Sequence, residues 1–236
     1  MVGAGALLAS VPSYALAKVK KRELAISQEE VSVATPDGLA DCFFAYPTKG
    51  KHPAVIIWPD IFGLRPAFKD MAKRMAASGY AVLVVNPYYR SIKAPVLPEG
   101  VDNRAPENWE KVRAEAMKLS PTTNVTDAKA LVAWLDNKKS VNTRRKIGTQ
   151  GYCMGGPMVM RTAAAVPKRI GAGASFHGGG LANDKSDSPH LLIPQMKASF
   201  LIAVAQNDDE KNPVEKETLK TAFAAAGRPA EIEVYT

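Results

Sequence analysis

Gly151-Tyr152-Cys153-Met154-Gly155-Gly156 sets one cysteine between glycines. The spacing G-x-C-x-G-G is that of a G-x-S-x-G nucleophile elbow with a thiol in place of the hydroxyl. An elbow is a sharp strand-to-helix turn that lifts one side chain out over a sheet. Glycines flank it because a Cβ would collide in so tight a turn. The context fits, since Lys146–Gln150 reads as a short strand and Gly156–Ala165 as a helix. A helix start beside the sulfur would offer free N–H groups and partial positive charge, which favour thiolate. A lone cysteine is more often a small buried hydrophobe. The two glycines and the strand-helix setting tell against that reading for Cys153. Cys42, in the apolar run Cys42-Phe43-Phe44-Ala45-Tyr46, fits it and reads as a core or strand residue. Two cysteines form neither a disulfide framework nor a zinc pattern.

The elements that must position Cys153 follow from apolar patterning. Glu29–Ala34 and Leu39–Tyr46 read as strands joined by the turn tripeptide Pro36-Asp37-Gly38. Ala54–Trp58 and Ala81–Val85 are almost wholly apolar, as strands buried on both faces are. Phe68, Met71, Ala72, Met75 and Ala76 lie on one face of a predicted helix over Pro66–Ser78, which Gly79 ends. A Pro-rich connection over 91–121 can hold a short helix near Pro106–Lys118 and, being long, can cover a site. Further helices are predicted over Asn124–Lys138 and Pro213–Ala226, and further strands over Gly171–Phe176, Ala198–Ala205 and Glu231–Thr236. Alternating strand and helix predicts one α/β domain with a doubly wound, mainly parallel sheet and helices on both faces. In such sheets function gathers at the carboxyl ends of the strands. Those ends carry Pro59-Asp60-Ile61-Phe62-Gly63, Asn86-Pro87-Tyr88-Tyr89-Arg90, Cys153, His177-Gly178-Gly179-Gly180 and Gln206-Asn207-Asp208-Asp209.

Together these segments resemble the dienelactone hydrolase family, cysteine members of the α/β-hydrolase fold. The resemblance runs from about Glu29 to Thr236. It implies hydrolysis of small esters or lactones through a Cys–His–Asp triad, with no metal and no organic cofactor. Cys153 then matches the nucleophile and Asp208 the triad acid, with Asp209 as fallback. The N–H groups of Ile61 and Met154 match the oxyanion hole. Arg90 matches a position that in the namesake enzymes grips the substrate carboxylate, and His177 and Tyr89 fall where substrate is held. Phe62, Tyr88 and Tyr89 suit an apolar pocket or packing equally. Two departures stand out. Asp60 occupies the place of a glutamate that holds the resting thiol, one methylene shorter, and tying down its loop fits it equally. The triad histidine follows the last strand, and no residue up to Thr236 matches it, so the base is expected beyond that point. His177, at the correct end of the sheet, is the substitute among His52, His177 and His190.

The domain expectation is a signal-like leader over 1–17, a basic linker over 18–28 and the α/β-hydrolase domain over 29–236, incomplete at its end. Met1–Ala17 is uncharged and ends Ala15-Leu16-Ala17, an export-type cleavage signal, though a basic start is lacking. Export to the periplasm or medium is therefore expected, with a cytoplasmic location as the alternative. The leader is too short to span a bilayer. Net charge is +8, gathered at Lys18–Arg22 and Lys138–Lys146. These short clusters lack interleaved aromatics and nucleic-acid motifs, so they read as solvated faces rather than nucleic-acid contacts. The expected partner is a small ester or lactone, and the expected state a monomer or small homo-oligomer. Two other classes fit the same residues: an inactive hydrolase-like binding protein, and a redox sensor that oxidises Cys153.

Overall fold

The structure is a computed structural model that describes residues 23–236. The expected leader and the basic run Lys18–Arg22 lie outside the described residues. The domain begins earlier than the expected linker allowed. Strand β1 (Ile26–Thr35) pairs antiparallel with β2 (Gly38–Pro47) from Ile26 onward. The polar residues Ser27, Gln28 and Glu29 hid its first half, because β1 is an edge strand with one wet face.

The sheet continues through β3 (Ala54–Trp58), β4 (Ala81–Val85), β5 (Ile147–Tyr152), β6 (Ile170–Phe176), β7 (Ser199–Ala205) and β8 (Ala230–Tyr235). Its order is β1-β2-β4-β3-β5-β6-β7-β8. Pairing is antiparallel between β1, β2 and β4, and parallel from β4 to β8. The carboxyl ends of β3 to β8 therefore share one edge. The all-apolar strands β3 and β4 are buried along their whole length.

Helix α1 (Pro66–Ala77) buries Phe68, Ala72 and Ala76 against one face of β2, β3 and β4. On the other face pack α3 (Pro121–Asp136), α4 (Gly155–Ala165) and α6 (Pro213–Ala225). Ser120 caps α3 by accepting from Thr123 N, and Pro121 occupies the first helical turn. The long connection holds α2 (Pro106–Ala116), whose Val112 is buried beside Tyr88, Val96 and Leu97. Two short elements lack a sequence signature: a 3-10 segment (Pro189–Gln195) and α5 (Gln206–Lys211). Among the described residues no helix is long and apolar enough to cross a membrane.

Candidate active site

Cys153 sits at the junction of β5 and α4 with φ 51°. Among the described residues only Cys153 and His177 combine a side chain with such a left-handed backbone. A non-glycine residue held there is strained, and such strain collects at functional turns. The elbow glycines are required by contact. A Cβ on Gly151 would strike the carbonyl of Gly155, and one on Gly155 the carbonyl of Trp58. A Cβ on Gly156 would lie 2.6 Å from Ser175 Oγ and 2.8 Å from Gly178 Cα. The end of β3, the elbow and the end of β6 thus meet backbone to backbone, with Cys153 between them. Cys153 N donates to Phe176 O at 3.0 Å, which closes the turn onto β6.

The sulfur is half-buried, and its pKa is raised. Burial is the first cause, the Met154 N–H opposes it, and the charges of Asp60 and Asp208 add to it. The helix start acts in the expected direction and loses. Burial thus outweighs the helix start that favours thiolate.

Ile61 belongs to the loop that leaves β3. Asp60 organises that loop: Oδ1 accepts from Phe62 N at 2.9 Å, and Gly63 N donates to Asp60 O at 2.9 Å. Arg65 grips the same carboxylate with both guanidinium ends, at 2.6 and 2.7 Å. Asp60 therefore ties down the loop and sets Arg65 at the start of α1. It reaches Cys153 through its field, which holds the proton on sulfur. Tyr88 joins the two proposed oxyanion donors. Its hydroxyl donates to Ile61 O at 2.8 Å and lies 3.2 Å from Met154 Sδ. The ring is 1% exposed, so Tyr88 is a strut and not a pocket wall. Phe62 packs on Trp109 of α2 with ring centroids 5.8 Å apart, so the long connection does cover this side.

The acid side is more open. Asp208 lies in the first turn of α5, just past β7, and is 37% exposed. His177 follows β6 and is 51% exposed, with Nδ1 3.9 Å from Asp208 Oδ2. That is too long for a hydrogen bond. Asp209 is engaged by Lys216 at 2.8 Å, which leaves Asp208 as the available acid. A cleft of about 730 Å³ opens beside His177, Ala205, Gln206 and Asn207 and runs to Tyr235. His190 is held by Ser188 at 2.7 Å, and His52 bridges to Val141 at the amino ends of the strands. Neither approaches the elbow edge.

Arg90 and Tyr89 turn away from the elbow. The Arg90 guanidinium donates to Asp37 and to Asp127, and Tyr89 donates to Asp127 Oδ1 at 2.8 Å while its ring is buried. Asp127 and Arg65 were not visible as partners in the sequence. Asp127 lies mid-helix, where nothing but its place on the inner face of α3 marks it. Cys42 is a buried core residue of β2, as its apolar run implies.

The molecule thus brings Cys153, Met154, Ile61 and Asp60 together, sets Asp208 and His177 beside them, and removes Arg90. Among solved structures, one assigned as a dienelactone hydrolase from Klebsiella pneumoniae superposes with a TM-score of 0.74. It covers 90% of this chain and 86% of its own at 22% identity, which speaks for the fold. A protein of Methylorubrum extorquens assigned as a carboxymethylenebutenolidase is 28% identical over 213 residues, 87% of this chain and 69% of that protein. The carboxymethylenebutenolidase of Rhodococcus opacus is 23% identical over 187 residues, 79% of this chain and 68% of that protein. The sequence pattern of the dienelactone hydrolase family matches residues 40–236, and the chain belongs to that family.

Proposed function

We propose that the protein hydrolyses small esters or lactones through a cysteine acyl-enzyme on Cys153. The observation that carries this reading is the strained elbow: a half-buried thiol in left-handed backbone, wedged between the ends of β3 and β6 by three glycines. The carboxymethylenebutenolidase names of the relatives agree with it.

In the proposed cycle an imidazole takes the Cys153 proton, and Sγ bonds to the substrate carbonyl carbon. The carbonyl π pair moves to oxygen, where the N–H groups of Met154 and Ile61 receive it. Collapse breaks the carbonyl–oxygen single bond, and the imidazolium returns its proton to the leaving alkoxide. Water, deprotonated by the same imidazole, cleaves the thioester and frees acid and thiol. Asp208 orients that imidazole. The resemblance implies a histidine after β8 for this role; His177 sits at the site's rim, beside Asp208 and out of bonding range.

Deprotonation is coupled to attack in this scheme, so a thiol whose pKa burial raises is compatible with it. The test is turnover of an activated aryl ester by the full-length protein, with mass spectrometry of the trapped acyl-enzyme. Cys153→Ala is expected to lower kcat by about 10⁴-fold or more and to abolish the acyl adduct. Unchanged turnover would reject the reading. Substrate retention without turnover in the unaltered protein would favour the inactive binding protein.

A further inference from the structure

We infer that the amino edge of the sheet, opposite the edge that carries Cys153, is a docking surface for an anionic phospholipid bilayer. Its basis is where the chain's positive charge collects. It is independent of the acyl-enzyme reading.

The segments 48–53, 78–80, 137–146, 166–169, 196–198 and 226–229 lead into β3, β4, β5, β6, β7 and β8. They therefore lie together at the amino ends of the parallel strands. They hold eleven Lys and Arg and no Asp or Glu. Eight of the eleven are exposed, among them Arg144, Arg145, Lys146, Lys168 and Lys197. Eleven exceeds the chain's net charge of +8, so the rest of the chain together is net negative. The acids that border this edge are Glu23, Asp136 and Glu231, and Asp136 is held by Arg169 at 2.7 Å.

Helix ends do not account for the excess. α1, α3, α4 and α6 all end at this edge. A helix carboxyl end carries about half a negative charge, so about two cations would offset all four. Backbone bonds also hold like charges close. Arg169 Nη1 donates to Arg145 O at 2.8 Å, and Lys146 Nζ donates to Lys168 O. Repulsion between such neighbours opposes folding, and an anionic partner relieves it.

Shape and composition select the partner. The strand order spreads these loops over six spacings from β2 to β8, about 29 Å. A broad rim of loop tips and helix ends suits a planar array of headgroups better than a duplex, whose groove is entered by an inserted helix or β-ribbon. Leu24 and Tyr80 add exposed apolar side chains to the same rim, where Leu24 N donates to Ala77 O at 2.9 Å. Cations with a few such side chains match the headgroup layer of an anionic bilayer. The run Lys18–Arg22 joins the described chain at Glu23, on this rim. Cys153 follows the far end of the six-residue strand β5, about 20 Å away and outside a screened surface field. A bilayer held at the amino edge leaves the site facing water.

The experiment is co-sedimentation of the full-length protein with vesicles of one-third phosphatidylglycerol in phosphatidylcholine, beside vesicles of phosphatidylcholine alone. At about 0.02 M salt, partition should favour the anionic vesicles at least tenfold, and about 0.5 M salt should remove the preference. Arg144→Glu, Arg145→Glu and Lys197→Glu combined should lower anionic binding at least tenfold, with the melting temperature little changed. If that variant does not fold, Arg144→Gln and Arg145→Gln made singly should each lower it about twofold or more. Equal binding to both vesicles, or a preference that salt does not remove, would overturn the inference. Anionic binding unchanged by the edge variants would overturn it too, by placing attachment elsewhere. Duplex DNA that strips the protein from anionic vesicles at equal phosphate concentration would replace the lipid with a nucleic acid.

Discussion

The proposed nucleophile side and the proposed acid side of this site are built by different means. Cys153 is held by backbone: the carbonyls of Trp58 and Gly155 and the Cα of Gly178 occupy the places where any Cβ on the elbow glycines would go. Asp208 is held by little: it stands in a six-residue helix, 37% exposed, with Asn207 Nδ2 donating to it at 3.3 Å. Backbone contact fixes a position without side-chain freedom, whereas a half-exposed carboxylate on a short helix takes its position from what binds it. The thiol is thus pre-placed, and the proton-handling groups are the adjustable part.

The largest expected effect breaks the rigid side. Gly155→Ala drives a methyl into the Trp58 carbonyl and toward that of Pro59, and neither backbone can yield without moving β3. Overpacking of this kind costs about 3 kcal/mol or more. Urea unfolding should show that loss, with activity lost as well. Gly179→Ala, where a Cβ meets no atom within 4 Å, should move stability by less than about 1 kcal/mol. Equal effects at the two glycines would remove the distinction between the sides.

The acid side is probed by Asp208→Asn, which keeps shape and removes charge. Loss of the proposed triad acid is expected to lower kcat by about 10³ to 10⁴-fold. Asp209→Asn, which only frees Lys216, should change it less than about threefold. The two differ in a second way. Asp208 is one of the charges that raise the Cys153 pKa, above an ordinary value of 9.0. A raised thiol pKa keeps the proton on, so alkylation of Cys153 should climb with pH through and beyond that value. Asp208→Asn should shift this profile to lower pH, and Asp209→Asn should not. The buried Cys42 stays unreactive in the folded protein, so the profile reports Cys153 alone.

The same contrast explains what the sequence disclosed. Strands β3 and β4 were legible to the residue because burial on both faces leaves only apolar side chains. The elbow was legible because steric contact restricts those positions to glycine. β1 was legible only in part, since the polar half of an edge strand looks like linker. The ion pairs were not legible at all: Arg65 with Asp60, and Arg90 with Asp127 and Asp37, join residues up to 53 positions apart. A carboxylate and a guanidinium carry no mark of which partner they will find. Hence Asp60 was left between thiol partner and loop tie, and Arg90 matched a substrate clamp; Arg65 holds the one, and Asp37 and Asp127 hold the other. The direction of the thiol's shift was legible only in part: a helix start is visible in sequence, and the burial that outweighs it is not.

The smallest expected effect sharpens the comparison at its seam. Tyr88 touches the residues of both proposed oxyanion donors, through Ile61 O and Met154 Sδ. Tyr88→Phe keeps the ring, which fills a buried site, and removes only the hydroxyl. Ile61 O then lacks a donor, a loss of about 1 kcal/mol in stability. The catalytic consequence depends on which state the hydroxyl serves. If it keeps the Ile61 N–H aimed at the developing oxyanion, it acts more strongly in the transition state than in the bound ester, and kcat falls while KM holds. A loss of roughly threefold to tenfold in kcat is expected on that footing, comparable to one modest hydrogen bond. A change confined to KM would place Tyr88 with the substrate, and a change confined to stability would leave the oxyanion loop rigid without it. The first outcome extends the backbone-held side of the site by one side chain, from the glycines of the elbow to the strut that locks its neighbouring loop.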